Sequence, residues 1–340
     1  MKGSAGASDG QTTPGPKGAI LLSPNVAKRH AIEIARLAPD RAIVELSPNG
    51  SREPVEEVEI AFFSGDCYPD RAPDFIRAAI SAPNLRWLHT FSAGVDHEIF
   101  HRLLDQGVRV SHSSGANAIA VAHHAVARLM ALARDLPGRI ADQRAHRWAR
   151  RISRDLEGAT LGVLGLGPIG LEVARIGQAL HMEVIGLRRK ARGDEPCETW
   201  GFERLPELLA ISDYLVLALP LTRETRGLLD GASLARMKPE AALINVGRGG
   251  VVDETSLVRA LRDGTLRAAA LDVFEVEPLP DSSPLWDLPN VIVTPHCGGF
   301  TATSHRHAEE VFLENLGRYI RGGALENEIF SFVNEADRDA

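Results

Sequence analysis

Short apolar stretches alternate with amphipathic ones along the first third of the chain, from Gly18 to Gly115. Apolar runs of this length, bounded by turn residues, predict β-strands, and the amphipathic stretches between them predict helices. The predicted strands are Ala19–Leu22, Ala42–Leu46, Val58–Phe63, Arg86–Thr90 and Val108–Ser111. Because helices separate consecutive strands, the pattern predicts a parallel sheet.

A second and more regular alternation begins at Ala159. Before it, Asn117–Leu136 carries apolar residues at helical spacing, and we place the first domain junction just ahead of this predicted helix. The predicted strands of the second part are Leu161–Leu164, Glu183–Leu187, Tyr214–Leu217, Ala242–Asn245, Ala268–Asp272 and Val291–Thr294. Six strands with helices in most of the gaps describe a doubly wound sheet. A further amphipathic helix is predicted from Thr303 to Ile320.

These patterns predict an α/β protein with two Rossmann-like or flavodoxin-like domains, each a doubly wound parallel sheet, separated by an active-site cleft. If the last helix returns to the first domain, that domain is discontinuous and consists of residues 18–115 plus 299–332. Residues 116–298 form the second domain. Residues 1–17, rich in Gly, Ser, Thr and Pro, are expected to be a disordered leader, and residues 333–340 a polar tail.

Composition excludes several classes of function. The 340 residues suffice for two domains, and 38 Lys and Arg against 45 Asp and Glu give a net charge of -7, so no basic field attracts nucleic acid. The longest apolar run, Leu215–Leu221, is far shorter than the ~20 residues that a membrane-spanning helix needs. Cys67, Cys197 and Cys297 lie far apart without paired spacing, which favours a reducing compartment. We therefore expect a cytoplasmic protein without nucleic-acid or membrane partners.

A glycine-rich turn opens the second sheet. Gly165, Gly167 and Gly170 have the spacing G-x-G-x-x-G directly after the strand Leu161–Leu164 and at the start of a helical stretch. The first glycine permits a tight turn, the second lets the backbone approach a pyrophosphate, and the third lets the helix pack on the strand. Because a strand precedes the turn and a helix follows it, we interpret residues 116–298 as a dinucleotide-binding domain rather than a domain with a ligand-free glycine turn.

The end of the next strand bears on the choice of dinucleotide. A unit that prefers NAD carries Asp or Glu there to bind the ribose 2′-hydroxyl. This strand instead runs into Arg188 and Arg189, whose two guanidinium groups are suited to clamp a 2′-phosphate. The sequence therefore predicts NADP(H) as the preferred cofactor. In the alternative, both arginines are surface charges and NAD(H) serves as well.

Three polar residues, Arg248, Glu277 and His296, each follow one of the last three predicted strands. The carboxyl ends of parallel strands meet at one edge of the sheet, where ligands of open α/β sheets bind. Reduction of a 2-oxo acid needs a cation for the carboxylate and a proton donor for the nascent alkoxide. Arg248 fits the first role and His296 the second, while Glu277 would stabilise the imidazolium. The alternative is a structural histidine and an ordinary Glu-Pro turn.

The motifs around these residues resemble those of the D-isomer-specific 2-hydroxyacid dehydrogenase family, and the resemblance covers nearly the whole chain after Gly18. They are Asn-Val-Gly-Arg-Gly-Gly at 245–250, Leu-Asp-Val-Phe-Glu-Val-Glu-Pro at 271–278 and Thr-Pro-His-Cys-Gly-Gly at 294–299. The resemblance implies that Arg248 binds the substrate carboxylate and carbonyl, that Glu277 hydrogen-bonds the histidine, and that His296 is the acid and base.

The resemblance also implies binding positions. Ala93, Gly94 and Val95, within Phe91–Asp96, match the loop whose backbone amides hold the substrate carboxylate. The positions matched to the cofactor are Gly165, Gly167, Pro168, Ile169, Gly170, Arg188, Arg189, Leu219, Pro220, Thr225, Val246, Gly247, Asp272 and Gly298. No metal ligand is implied, and by analogy we expect a homodimer.

The resemblance leaves the substrate open. Our first expectation is NAD(P)-dependent reduction of glyoxylate or hydroxypyruvate to the D-2-hydroxy acid, with His296 as proton donor. The alternatives are a dehydrogenase for a bulkier 2-oxo acid or for phosphoglycerate, and a non-enzymatic NAD(H)-sensing protein similar to the corepressors of the same lineage. Formate dehydrogenases share the fold but carry glutamine where this chain has Glu277, so that activity is disfavoured.

Several other residues attract notice without carrying a function. His123 stands where the family usually shows glutamate, and we expect His123 and His124 to be packing or interdomain residues, not metal ligands. Trp148 is expected to pack in the core or at a dimer interface. Cys297, beside the candidate catalytic histidine, is expected to be a small apolar filler.

Overall fold

The computed structural model describes residues 17–47, 54–95 and 97–330, and all statements below refer to them. The expected leader lies outside the described residues except for Lys17, with which the first strand begins, and the expected polar tail lies outside them entirely.

The chain begins with alternating strands and helices, as the pattern predicts. The elements are β1 (Lys17–Leu22), α1 (Pro24–Arg29), α2 (Ala31–Leu37), β2 (Arg41–Glu45), β3 (Val58–Phe63), α3 (Ala72–Ser81), β4 (Trp87–Thr90), α4 (Glu98–Asp105) and β5 (Arg109–His112). All five predicted strands of this part are present, with ends that differ by one or two residues.

The second series of elements is longer. It comprises α5 (Ala118–Ala133), α6 (Leu136–Arg144), β6 (Thr160–Leu164), α7 (Pro168–Ala179), β7 (Glu183–Leu187), β8 (Glu198–Trp200), α8 (Leu205–Ile211), β9 (Tyr214–Leu217), α9 (Gly231–Leu234), β10 (Ala242–Asn245), α10 (Glu254–Arg262), β11 (Ala268–Leu271), β12 (Val291–Val293), α11 (Ala302–Ile320) and β13 (Glu328–Ile329). None of the helices within the described ranges is both long and apolar enough to span a membrane.

The chain folds into two compact units. The first contains the described residues up to Ser92, then His97–Ser113, and the residues from Ala308 onward. The second contains Ser114–His307 together with the short segment that begins at Ala93. The chain thus enters the first unit twice more after leaving it, the last time within α11.

Each unit is built on its own sheet. The first sheet has the order β13-β5-β4-β3-β1-β2, and all its pairs are parallel except β13 with β5. The second has the order β12-β11-β10-β9-β6-β7-β8 and is parallel throughout. In the second sheet the strand order reverses between β6 and β9, which is the position where open α/β sheets bind ligands. The predicted fold class, two doubly wound parallel-sheet domains, is confirmed.

Three features differ from the sequence-based expectation. The helix predicted to run to Leu136 ends at Ala133, because Asp135 adopts a left-handed backbone (φ 50°) and its carboxylate accepts from Gly138 N–H to cap α6. The edge strands β8 and β13 were not predicted, since they are three and two residues long and lack an apolar run.

Buried apolar side chains fill each unit separately. In the first, Phe62 of β3 stacks on Phe312 of α11 with ring centroids 4.3 Å apart, so the late helix supplies part of the core of the early sheet. In the second, the central strands are buried on both faces, against α5 and α7 on one side and α8 to α10 on the other. Strands covered on both faces present functional groups only at their ends.

Candidate active site

Three neighbouring strands of the second sheet bring the candidate catalytic residues to one edge. β10 pairs with β11 and β11 with β12, in parallel register through the last residues of all three strands. Their carboxyl ends therefore lie side by side, and the loops that follow carry Arg248, Glu277 and His296. Residues separated by 48 positions in the chain are thereby placed on adjacent loops.

The imidazole and the carboxylate are in direct contact. Nδ1 of His296 lies 2.7 Å from Oε2 of Glu277, a hydrogen-bond distance. The other oxygen of Glu277, Oε1, accepts from the Phe274 N–H at 3.0 Å, which orients the carboxylate. The side chain of His296 is 51% exposed, so the ring is accessible to a ligand.

The electrostatic environment keeps Glu277 charged. Burial raises the pKa of this carboxyl, but the hydrogen bonds from His296 and Phe274 N–H and the charges of His296 and Arg248 outweigh burial, so the pKa lies below its ordinary value. Glu277 is therefore a carboxylate at neutral pH and accepts the Nδ1 hydrogen of His296.

Arg248 lies in a loop that its own residues brace. Oδ1 of Asn245 accepts from Gly247 N–H and Nδ2 of Asn245 donates to the Arg248 carbonyl, both at 3.1 Å. The Arg248 backbone is extended, and its Nη1 donates to the Gly247 carbonyl at 2.8 Å. The loop thus presents a half-buried guanidinium.

Gly249 brings this loop against the loop of Glu277. A Cβ at Gly249 would lie 1.9 Å from the carbonyl carbon of Phe274, a distance that no side chain tolerates. Only glycine permits this approach. The close approach explains why the Arg248 charge acts on the Glu277 carboxylate.

The backbone of His296 is held in an uncommon conformation. Its φ is +47°, in the left-handed region that few residues with side chains adopt. His296 N–H donates to the Asp272 carbonyl at 2.8 Å, and the next two amides, of Cys297 and Gly298, donate to Oδ1 and Oδ2 of Asp272 at 3.1 and 2.9 Å. Three consecutive amides converge on one residue, which stabilises the turn.

Asp272 is a buried, ionised carboxylate. Its exposed fraction is 3%, and besides the two amides it accepts from the Thr294 hydroxyl at 2.6 Å and lies 3.1 Å from Nε2 of His124. Burial alone would raise the pKa of Asp272, but the hydrogen bonds from His124, Thr294 and Gly298 lower it to about 2. The resemblance implied a cofactor-lining role for Asp272, and His124 was expected to be a packing or interdomain residue; no sequence signal indicated that the two residues meet.

Residues around Asp272 include the types that bind metal ions, but their charges and hydrogen bonds do not favour a cation. His124, Asp272 and Cys297 offer three ligand-type atoms within 4.8 Å of one another. However, the Asp272 oxygens already accept several hydrogen bonds, and the positive charge of Arg128 acts on both Asp272 and Cys297, which opposes a cation. That no residue binds a metal stays a prediction.

The glycine turn has the geometry that a dinucleotide requires. Gly165 has φ +96°, and a Cβ there would lie 2.9 Å from the Ala218 carbonyl oxygen. A Cβ on Gly170 would lie 1.9 Å from the Gly165 carbonyl oxygen, so the helix start packs directly on the turn. At Gly167 a Cβ would meet nothing within 4 Å, and this exposed residue precedes α7 as its N-cap, with no side-chain hydrogen bond to the helix. The open space at a helix N-terminus fits a pyrophosphate.

Other positions matched to the cofactor lie at the start of α7 and in the loop after β9. Pro168 is exposed at the start of α7, and Ile169 behind it is half-buried against the core. In the loop after β9, the Thr225 hydroxyl donates to the Pro220 carbonyl at 2.7 Å and accepts from Thr222 N–H at 2.8 Å. Thr225 therefore braces its own loop.

The loop after β9 packs closely against the backbone of the Arg248 loop. Leu219 is buried, and a Cβ on Gly247 would lie 2.7 Å from the Leu219 carbonyl oxygen. Val246 and Gly298 are buried as well. These four residues lie in the loops that follow β9, β10 and β12 at this edge of the sheet.

The arginines expected to bind a 2′-phosphate differ in their surroundings. Arg189 is exposed, whereas Nη1 of Arg188 lies 3.3 Å from Oε1 of Glu195, whose side chain is only 3% exposed. The same carboxylate accepts from the Arg192 and Gly193 N–H groups, at 2.7 and 2.8 Å. These hydrogen bonds and the Arg188 charge keep the pKa of Glu195 low. A carboxylate therefore does lie beside Arg188, but it belongs to Glu195, seven residues further along the chain. The sequence argument considered only the residues at the end of β7 and so did not predict this contact.

The segment matched to substrate binding belongs to the second unit. Ala93 and Gly94 are half-buried, and Val95 is 8% exposed. Asp96, the last residue of the expected loop, lies outside the described residues.

Comparison with known proteins identifies relatives. Residues 126–298 match the family model described as D-isomer specific 2-hydroxyacid dehydrogenase, NAD binding domain. The chain is 39% identical over 254 residues to glyoxylate/hydroxypyruvate reductase B of Pectobacterium atrosepticum, covering 72% of this chain and 79% of that protein. It is 36% identical over 251 residues to D-3-phosphoglycerate dehydrogenase of Methanocaldococcus jannaschii, covering 72% of this chain but only 48% of that protein.

A solved structure extends the similarity to almost the full chain. A D-isomer specific 2-hydroxyacid dehydrogenase from Xanthobacter autotrophicus Py2, in complex with NADPH and MES, superposes with a TM-score of 0.75 at 32% identity. The match covers 92% of this chain and 98% of that one. The similarity therefore includes both units, not the second unit alone.

Proposed function

This chain belongs to the D-isomer-specific 2-hydroxyacid dehydrogenase family of oxidoreductases, which act on the CH–OH group of 2-hydroxy acids, and we propose that it reduces glyoxylate, hydroxypyruvate or a similar short 2-oxo acid to the D-2-hydroxy acid. The observation that carries the proposal is the 2.7 Å contact between Nδ1 of His296 and Glu277 at the edge of the sheet where Arg248 also lies. A carboxylate, an imidazole and a guanidinium on adjacent loops are the groups that this reduction needs.

His296 supplies the proton. Because Glu277 is ionised and accepts the Nδ1 hydrogen, Nε2 is the nitrogen left to face a substrate. In the reductive direction, a nicotinamide cofactor held by the glycine turn Gly165–Gly170 would supply the hydride. The proton on Nε2 of His296 passes to the carbonyl oxygen as it becomes the hydroxyl, and the ring is left neutral. Because reduction consumes a proton and oxidation releases one, low pH favours reduction and higher pH favours oxidation.

Arg248 and the segment around Gly94 hold the substrate. A guanidinium does not deprotonate in this range, so Arg248 acts as a clamp for the carboxylate and polarises the carbonyl. The backbone amides of Ala93, Gly94 and Val95 would take the remaining carboxylate oxygen. This arrangement favours substrates with a carboxylate next to the carbonyl.

For the cofactor we propose NADP(H) in preference to NAD(H). Arg188 and Arg189 stand after β7, and the relative from Xanthobacter autotrophicus was solved with NADPH. Glu195 should weaken this preference, because its carboxylate lies 3.3 Å from Nη1 of Arg188 and would repel a 2′-phosphate. We therefore expect a measurable but not absolute preference, which kcat/KM for NADPH and NADH measures directly.

A second candidate substrate follows from the second relative. Because the chain is 36% identical to a D-3-phosphoglycerate dehydrogenase, oxidation of phosphoglycerate is the alternative activity. A bulkier 2-oxo acid uses the same groups. Absence of turnover with any 2-oxo acid, together with dinucleotide binding, would instead favour a sensing protein.

We also propose a homodimer in the cytoplasm. Trp148 and Ile152 are 95% and 100% exposed on the segment after α6, and Met130, Leu136 and Ile140 in the preceding helices are exposed as well. Large exposed apolar side chains concentrated in one part of a protein mark an interaction site, here for a second copy of this chain. The three cysteines are free, in keeping with a reducing compartment. Light scattering of the purified protein tests the dimer.

The test of the proposed function is a panel of 2-oxo acids assayed with NADPH and NADH. We expect the highest kcat/KM with glyoxylate or hydroxypyruvate and NADPH. His296→Asn should lower kcat by about 10²–10⁴, because the proton donor is lost, while dinucleotide binding persists. Turnover by His296→Asn at the wild-type rate would contradict the mechanism, and a clear NADH preference would contradict the cofactor assignment.

A further inference from the structure

A side chain of α5 reaches the loop of the catalytic histidine. Nε2 of His124 lies 3.1 Å from Thr294 Oγ1 and 3.1 Å from Asp272 Oδ1. The hydroxyl hydrogen of Thr294 is engaged with Asp272 at 2.6 Å, so the Thr294 oxygen can only accept from His124. Because both neighbours are acceptors, Nε2 of His124 must carry the hydrogen and donate to them.

His124 is one of the hydrogen-bond donors that stabilise the buried carboxylate of Asp272. Asp272 is 3% exposed and ionised, and a buried carboxylate needs donors or cations around it. α5 supplies both, since Arg128, four residues after His124, places its positive charge near Asp272 and donates from Nη1 to the His124 carbonyl at 3.3 Å. Removing the donor at His124 would leave the buried Asp272 carboxylate with one hydrogen-bond donor fewer.

The position of Asp272 decides the position of His296. The Asp272 carbonyl and both carboxylate oxygens accept the amides of residues 296 to 298, which keeps His296 in its left-handed conformation. The packing here is tight: a Cβ on Gly298 would lie 3.0 Å from Asp272 Oδ2 and 3.3 Å from the His124 ring. A shift of either side chain therefore displaces the loop.

We propose that His124 is a positioning residue for His296. It donates a hydrogen bond to Thr294 and Asp272, and through them it holds the 296–298 turn in the one conformation in which the imidazole meets Glu277. The inference rests on the proposed function, because it takes His296 as the proton donor, and it assigns to His124 no proton transfer of its own.

The experiment compares three variants of the full-length enzyme. His124→Leu removes the donor, His124→Gln restores an N–H of similar reach, and His123→Leu changes the exposed neighbour on the same helix as a matched control. For each we measure kcat, the KM of the 2-oxo acid, the Kd of NADPH, the pH profile of kcat and the melting temperature.

We expect His124→Leu to lower kcat by about tenfold to a hundredfold, because misplacing a reacting group costs rate rather than binding. The KM and the Kd of NADPH should stay near those of the wild type, whereas the midpoint of the pH profile of kcat should shift, because a displaced turn weakens the contact between His296 and Glu277. His124→Gln should recover most of the lost kcat, and His123→Leu should match the wild type.

Three outcomes would overturn the proposal. An unchanged kcat in His124→Leu would show that the turn holds without the donor. A lower melting temperature with unchanged kcat per folded molecule would show a structural role alone. Loss of the pH dependence would mean that His124 itself carries the proton.

Two further measurements keep the test decisive. If His124→Leu does not fold, Thr294→Val removes the bridging hydroxyl instead and should give a smaller loss of kcat with the same unchanged Kd. His296→Asn separates the two proposals: if it retains turnover, the proposed function fails, whereas loss of activity in His296→Asn beside full activity in His124→Leu rejects only the positioning role.

Discussion

Two turns of the second unit are held in shape by different forces. The turn after β6 is close-packed backbone, in which Gly170 lies so near Gly165 that no Cβ fits between them. The turn after β12 is held by hydrogen bonds from three amides to Asp272, one to its backbone carbonyl and two to its ionised carboxylate, which is buried from solvent. We therefore expect that an added side-chain atom at Gly170 disrupts the first turn and that removal of the Asp272 charge weakens the second.

The difference suits what each turn does. A pyrophosphate site must present backbone amides in a rigid arc, and steric fit provides this at any pH. Under the proposed function, the turn of His296 must instead hold an imidazole at a fixed distance from Glu277. The buried carboxylate of Asp272 and its hydrogen bonds fix the position of the His296 backbone, while the imidazole ring stays exposed.

The largest effect is expected from Gly170→Ala. Its Cβ would lie 1.9 Å from the Gly165 carbonyl oxygen, so backbone must move, at a cost of about 1–3 kcal/mol or more. We expect a melting temperature lower by several degrees and loss of dinucleotide binding. Differential scanning fluorimetry and a fluorescence titration with NADPH check both. A variant with wild-type stability and affinity would show that the turn is not held by steric fit.

The next effect is expected from Asp272→Asn, which keeps the shape and removes the charge. The pKa of Asp272 is depressed from 3.8 to about 2, so its charge contributes stability that is fully present above pH ~4 and disappears as the pH falls through about 2. The contribution is at most about 2 kcal/mol.

Urea unfolding of the wild type and Asp272→Asn, at a series of pH values from neutral to acid, measures this contribution. We expect the difference between the two proteins to be constant near neutral pH and to shrink in acid. A difference that is independent of pH would mean that packing, not charge, holds the turn. The kcat of the variant at neutral pH should fall as well, because one of the two amides, of Cys297 or of Gly298, would face an NH2 group in place of an acceptor oxygen.

The smallest effect on stability is expected from Gly167→Ala, which sharpens the comparison within the glycine motif itself. A Cβ at Gly167 faces open space, so the free energy of unfolding should change by less than about 0.5 kcal/mol. The same Cβ would stand where the pyrophosphate approaches, so the Kd of NADPH should rise. Equal affinity in variant and wild type would place the pyrophosphate elsewhere.

Local patterns in the sequence predicted much of this architecture. Strands such as Tyr214–Leu217 and Ala242–Asn245 agree with the structure to the residue, because a central strand buried on both faces is a continuous apolar run between polar turns. The edge strand Glu198–Trp200 has no such run and escaped prediction. The glycine turn was readable because its three glycines and the flanking elements all lie within a few residues.

The surroundings of the candidate site were less accessible. Glu195 follows Arg188 by seven residues, yet it reaches the arginine because the intervening loop folds back and donates two amides to its carboxylate. His124 is 148 residues from Asp272 in the chain, and its pattern on α5 is that of any half-buried helix residue. Nothing local marks either residue as part of the site.

The sequence by itself determined the fold class, the glycine turn and the order of Arg248, Glu277 and His296 after three successive strands. These properties depend on short-range periodicity and on residue types at strand ends, which the chain states directly. Only the tertiary structure decided which polar side chains meet, namely Glu195 with Arg188 and His124 with Asp272. Such pairs depend on how distant segments pack, and burial then gives each contact a strength that no local pattern encodes.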